Sequence, residues 1–557
     1  MKNFLKASFA VGVALIALSA NSQAQTVVAV NGLGSSAIFL ELGLAASAAT
    51  TASPAGLGAT CLWTENTNSV AATDATIPSL PDKGNAFVAW TPGTGSCAAP
   101  VNPTIYAYLQ TDSVVGNRCL FNGSSCTIAY PTTNPASANI ILSTGEVPLP
   151  ASIATSLNGT AVNVAGTDIR PEDAEFAIKR ALTPCGTAVA TGSQYLGLGY
   201  VNGDTIVSNL SGTFNVIDFS LPTTGYTVTP IGATPIVVVV NSSSAAAGFN
   251  ASGITNLTSK ALALFLDGTY SYTNQALSTP AATGAAVTTF IREPLSGTYN
   301  TMEYNVPNTS NTTTGFMTSQ DVGLNQPAAQ KDCSGGSAGP NPMNIATPSG
   351  GARQRAIGTG QELSEVATAT STANLGYGFW SVGNFKGYTS TAAPFARYLT
   401  VDGIDPLLNS STPYSTYNGT LPLAGSAEIA NVDLSTTANG SYPIWSLLRL
   451  VNTGTTVLPA VTSLATASQN FVPTGTSTSR PDFVKASSLS VVRSHFIPPV
   501  GAGEPTTAAN GHGSLATSVC TATEAGGDVG GVVQTLVADS TYCSRHAVTT
   551  GQTGLRK

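Results

Sequence analysis

The chain has 557 residues, 42% hydrophobic and only 9% charged, with 21 Lys and Arg against 28 Asp and Glu and a net charge of −7. That length holds two or more ordinary hydrophobic cores. Sparse, acidic charge excludes the basic stripe that a phosphate backbone demands, so nucleic acid is not an expected partner.

Lys2 and Lys6 precede an apolar run, Phe9 to Leu18, followed by Ser22-Gln23-Ala24. This is the pattern of a secretory signal peptide cut after Ala24. No later segment reaches the roughly 18 uninterrupted apolar residues of a membrane span. The expected product is therefore exported, periplasmic or extracellular, with no membrane insertion after signal removal. Eight cysteines fit that destination. Sequence neighbours give Cys61 with Cys97, Cys119 with Cys126, Cys185 with Cys333 and Cys520 with Cys543, although spacing does not fix connectivity. His495, His512 and His546 are scattered among Gly, Ser and Pro, which is not metal-ligand spacing.

In chain order, Thr26 to Val30 predicts a short strand. It leads into a Gly-rich turn, Asn31-Gly32-Leu33-Gly34-Ser35-Ser36, and a helix begins with AIFLELG. Gly32 to Ala37 matches the dinucleotide pattern GxGxxA, but no acid follows about 20 residues later to hold a ribose. What remains is a turn whose helix N–H groups and Ser35 and Ser36 hydroxyls can face an anion. Cys61 to Thr133, with four cysteines and many turn residues, predicts a disulfide-stapled insertion.

Ala138 to Leu142 predicts a strand ending at Ser143, and Ala161 to Ala165 another ending near Asp168. There Pro171, Glu172 and Asp173 suit a helix start. Ile236 to Val240, IVVVV, predicts a strand buried on both faces in a parallel sheet. A helix over TSKALALFLDG follows, with Gly268 at its end. Ala286 to Ile291 predicts a strand delivering Arg292, and Ser296-Gly297-Thr298 opens a further helix. A guanidinium beside a helix start is a compact way to hold an oxyanion. Alternation continues through Gln361 to Thr370 and Leu375 to Val382, so the fold class is α/β with ligand sites at strand carboxyl ends, and Tyr398 to Pro406 and Tyr442 to Val451 are strand or short-helix material.

Four segments in this order, NGLGSSAIF, GTDIRPED, TPIVVVVN with SKALALFLDGTYS, and REPLSGT, resemble the phosphate-binding protein of bacterial phosphate ABC transporters and its DING-type relatives. The resemblance implies a two-lobed periplasmic-binding-protein fold of type II with a central cleft. On it, 25–60 begins lobe 1, 61–133 is the insertion, 134–234 continues lobe 1, 235–385 is lobe 2, 386–486 returns to lobe 1 and 487–557 is a C-terminal extension. The implied phosphate ligands are Ser36, Ala37, Asp168, Arg292, Ser296, Gly297 and Thr298, with Ser35 and Ser143 as weaker candidates. The implied partners are inorganic phosphate or a related oxyanion and an ABC transporter permease, with no cofactor and no catalysis.

An ionised Asp168 only accepts, so it tolerates an anion that still carries a proton and repels sulfate, while pairing with Arg292 is expected to keep it ionised. Two other classes compete. One is an extracellular adhesive or matrix protein that keeps the fold without transport. The other is a serine hydrolase on Gly335-Gly336-Ser337-Ala338-Gly339, opposed by Pro340 and by the absence of a preceding strand.

Overall fold

The computed structural model describes most of residues 25–171, 219–306 and 345–489. Outside the described residues lie 1–24 and most of 175–218, 307–344 and 490–557. The signal segment, Ser143, Cys185, Cys333, Cys520, Cys543, the 335–339 motif, the three histidines and the helix expected after Pro171, beyond its first turn, all fall there.

β1 (Val27–Ser35) runs into one 3-10 turn, Ser36–Ile38, and α1 (Phe39–Ser47). Then come β2 (Cys61–Glu65), β3 (Ala86–Trp90), β4 (Thr104–Thr111), α2 (Ser113–Phe121) and β5 (Val164–Thr167). β6 (Tyr226–Asn241) is the longest strand, followed by α3 (Ser259–Leu266), β7 (Val287–Arg292), α4 (Gly297–Asn305), β8 (Ala352–Ala356) and α5 (Gly358–Thr368). The chain continues through β9 (Ala373–Phe379), β10 (Ala396–Val401), β11 (Trp445–Thr453) and α6 (Pro459–Phe471).

One mixed sheet of 14 strands contains the order β8-β7-β9-β6-β11-β5-β1-β4-β3-β2. Two parallel triplets stand in it, β5-β1-β4 and β8-β7-β9. β6 joins them: Tyr226 to Pro235 pair with β11, whereas Ile236 to Asn241 pair with β9 and β10. The protein is thus α/β and two-lobed, each half built on a parallel triplet and both sharing one strand. Alternate residues of that strand enter two cores. Ile236, Val238 and Val240 pack with Leu262 and Phe265 of α3, and Val237 and Val239 pack with Leu363 and Val366 of α5.

Several expectations are corrected. The IVVVV run is buried on both faces, but its partners β9 and β10 are both antiparallel to it. A continuous apolar run records burial and carries no information about strand direction. The Gly-rich stretch is strand, not turn, because β1 extends to Ser35. Its glycines serve close approach: a Cβ on Gly32 would stand 3.1 Å from the Val164 carbonyl, and Gly34, at φ +132°, lies against Gly166 of β5.

Residues 61–133 are not a separate appendage: β2, β3 and β4 belong to the main sheet and β4 pairs with β1. The two disulfides expected there, Cys61–Cys97 and Cys119–Cys126, are present. The first ties β2 to the loop after β3, and the second ties α2 to a short strand, Cys126–Ala129, outside the main sheet. Ala138 to Ile141 is irregular, held by Ala138 N–H donating to the Thr64 carbonyl at 2.9 Å. β10, assigned from sequence to the return into lobe 1, pairs with the second-half portion of β6.

Candidate functional site

The first-half triplet ends in register, with Gly34 opposite Gly166 and Ser35 opposite Thr111. Three connections therefore leave one edge side by side, the edge where open α/β sheets bind ligands. At the tip of β1, Ser35 Oγ accepts from the Ala37 N–H at 3.2 Å, a helix-capping bond that starts the 3-10 turn. Ser36 is half-buried and Ala37 buried. β4 ends at Thr111, followed by Asp112, which occupies the cap position of α2, and Ser113 is the first residue of that helix. β5 ends at Thr167, followed by Asp168, which is 4% exposed. Ser113 Oγ donates to Asp168 Oδ1, and the Asp168 N–H donates to Ser113 Oγ at 3.1 Å. Burial pushes the Asp168 carboxyl above its ordinary range; the Ser113 bond, its own backbone amide, Arg292 and Arg449 oppose that rise without cancelling it.

In the second half, β7 ends at Arg292, 2% exposed. Its Nε donates to Glu293 Oε2 at 2.8 Å and its Nη2 to Glu293 Oε1 at 2.6 Å, a forked charge-assisted pair with the next residue in the chain. Nη1 donates to Thr359 Oγ1 at 3.0 Å. Thr359 arrives there because Ala356 of β8 lies opposite Arg292 and α5 begins at Gly358. Two more carboxylates approach the guanidinium, Asp112 Oδ1 at 3.8 Å and Glu362 Oε2 at 3.9 Å. Burial would depress the Arg292 pKa, but Glu293, Asp112 and Glu362 more than offset it and hold the guanidinium charged.

Four residues on, Ser296 caps α4, its Oγ accepting from the Tyr299 N–H at 3.3 Å, and Ser296, Gly297 and Thr298 are all buried. The two halves meet here. A Cβ added to Gly297 would overlap the Asp168 carboxyl, and the Val114 N–H donates to the Leu295 carbonyl at 3.3 Å. Asp168, Ser113 and Gly297 are thus in contact, with Arg292 linked to them through Asp112, while Ser35, Ser36 and Ala37 occupy the neighbouring tip of β1. Ser143 lies outside the described residues.

Three residues were missed. Arg292 was expected to pair with Asp168; the described hydrogen bonds of its guanidinium go to Glu293 and Thr359, Asp168 accepts from Ser113, and the Arg292 charge favours the ionised Asp168 carboxyl without offsetting its burial. Ser113 had a legible signal: an alternating strand, Thr104 to Thr111, ending in Asp-Ser before VVGNRCLF. Its position among four cysteines obscured it. Glu293 adjoins the recognised Arg292, but nothing local distinguishes it from a surface acid, and Thr359 is brought by pairing of distant strands. Among the described residues, no group of three or more His, Cys, Asp and Glu is arranged to hold a metal ion, and no helix is long and apolar enough to cross a membrane.

Neither family profiles nor curated proteins give a match to the sequence. Among solved structures, the chain is similar to a phosphate-binding protein from Stenotrophomonas maltophilia, at 14% identity over 76% of this chain and 95% of that one, with a TM-score of 0.31. An ABC-type phosphate transport receptor from Vibrio cholerae matches at 12% identity over 46% and 72%, with a TM-score of 0.25. PstS from Borrelia burgdorferi matches at 12% over 66% and 81%, also with a TM-score of 0.25.

Proposed function

We propose that the chain is an exported solute-binding protein that takes a protonated tetrahedral oxyanion of the phosphate class between its two halves. The observation that carries this reading is the meeting of Asp168 and Ser113, at the tips of the first triplet, with Gly297, at the start of α4. Three chain segments far apart in sequence supply a hydroxyl, an acceptor and a helix N-terminus at one place. Arg292 stands one residue away across Asp112. The ligand set comprises Ser36, Ala37, Asp168, Arg292, Ser296, Gly297 and Thr298, with Ser113 taking the first-half hydroxyl role considered for Ser143, and Ser35 as a capping support.

The chemistry follows from what each group can do. Helix N–H groups and hydroxyls donate, Arg292 donates while shared with Glu293 and Thr359, and Asp168 accepts from a proton on the ligand. Charge-assisted bonds of about 1.5 to 3 kcal/mol each suffice for micromolar binding after the costs of closure. An anion with no proton leaves Asp168 facing a like charge, the stronger kind of rejection. An ABC transporter permease is the partner such a protein would serve.

The contact of Gly297 with Asp168 also favours a second reading, in which the two-lobed fold persists in an extracellular adhesive or matrix protein and the halves close without a ligand. Titration calorimetry on the full chain, freed of anions by partial unfolding and dialysis, separates the two. Heat with phosphate and none with sulfate supports the first reading. No heat with either anion supports the second.

A further inference from the structure

One positive group, Arg292, is surrounded by Glu293, Asp112 and Glu362, all within 4.0 Å of its nitrogens and each at most 4% exposed. One guanidinium balances one carboxylate, and Glu293 takes that role with both oxygens. Asp112 and Glu362 are then surplus. Asp112 Oδ2 and Glu362 Oε2 are buried without a hydrogen bond of ordinary geometry, Glu362 Oε2 standing 3.9 Å from the Arg292 Nε and Asp112 facing the Glu293 carboxylate, an arrangement that favours a proton on the surplus acids. The cluster also spans the molecule, because Asp112 belongs to the first half and Arg292, Glu293 and Glu362 to the second.

We propose that this cluster is a proton-dependent latch: Asp112 and Glu362 enter it as neutral acids, fastening the two halves in acid and releasing them as the pH rises. Other charged groups around it are already committed. Asp82 pairs with Arg118 of α2 at 2.8 Å, Asp168 accepts from Ser113 with Arg449 behind it, and Glu362 Oε1 accepts from the Tyr377 N–H at 2.6 Å. None supplies a second positive charge to Asp112. Burial, aided by Glu293, pushes the Asp112 carboxyl well above its ordinary range against the pull of Arg292, and burial does the same to Glu362.

Both acids hold a proton more tightly in the fastened form than when exposed. The fastened form is therefore fully favoured below the ordinary carboxylate pKa, about 4, and loses its advantage as pH climbs through their raised values. The binding reading is not needed for this. The latch acts on the halves whether or not an anion is present.

The test uses the full chain stripped of anions, with X-ray scattering and thermal unfolding in a pH series from about 5 to about 8. The latch predicts a radius of gyration that grows and an unfolding midpoint that falls as pH rises. Asp112→Asn, neutral at every pH, is expected to remove most of both slopes, and Glu362→Gln part of them. Glu365→Gln, on the exposed face of α5, is expected to keep them. A wild-type radius that does not change with pH overturns the proposal, as does an Asp112→Asn protein with the wild-type slopes. Should Asp112→Asn fail to fold, the wild-type scattering series and Glu362→Gln decide alone. No anion enters this test, so its failure is distinct from a failure to bind phosphate.

Discussion

The two parallel triplets share a topology and differ in what their strand tips carry. At the tips of β5-β1-β4 stand small residues and hydroxyls, Gly34, Ser35, Ser113 and Gly166, with Asp168 held by a serine. At the tips of β8-β7-β9 stands an ion cluster, Arg292 with Glu293 and Glu362. The first half is fastened covalently, by Cys61–Cys97 and Cys119–Cys126, whereas the described bonds at the second-half tip are electrostatic. A glycine-rich tip lets backbone come close to a ligand, although Asp112 and Asp168 are buried there too, and the Arg292 tip supplies attraction but must balance its own burial. The two halves accordingly respond to different perturbations.

The largest effect is expected at the charged tip. Arg292→Ala leaves Glu293 buried without its counterion beside Asp112 and Glu362 and should cost about 3 to 5 kcal/mol by denaturant unfolding, with partial recovery in acid. A loss below about 1 kcal/mol would show that the acids rearrange into water. In the first half, replacing Cys61 and Cys97 by Ser opens a bridge between residues 36 apart and should cost about 2 to 4 kcal/mol. Hydrogen exchange should then rise in β2 and β3 and stay unchanged in β7 and β9; an equal rise in both halves breaks the comparison.

Gly34→Ala meets the Gly166 backbone at a left-handed φ and should cost about 1 to 3 kcal/mol. Gly360→Ala, in α5 with open space around it, should by contrast gain up to about 1 kcal/mol. The smallest change is Ser296→Ala, loss of one helix cap, at about 1 kcal/mol by thermal unfolding.

Much of this contrast was legible in the sequence where a signal is local. Arg292 and the Ser296 cap follow from an apolar strand, a fixed spacing and a capping residue, and β7 and α4 are where that pattern predicts them. Asp168 is legible for the same reason, at a strand tip before Pro171. Signals that depend on distant partners were not. Turn-like composition in Asn31 to Ser36 hid a strand, because glycine suits close packing against β5 as well as it suits a turn. The cysteines hid β2, β3, β4 and Ser113 inside an apparent insertion. Nothing in the local sequence separates Asp112 and Glu362 from surface acids, since only the strand order brings them to Arg292.

Crystals of the full chain grown with arsenate, a phosphate analogue whose arsenic scatters anomalously, test the central claim most directly. The account predicts an anomalous peak between the halves, with its oxygens at hydrogen-bond distance, about 3 Å, from Ser113, Thr298 and Arg292 and one of them facing Asp168. A density-free cleft with Asp168 still packed on Gly297, or arsenate bound only elsewhere, would contradict it.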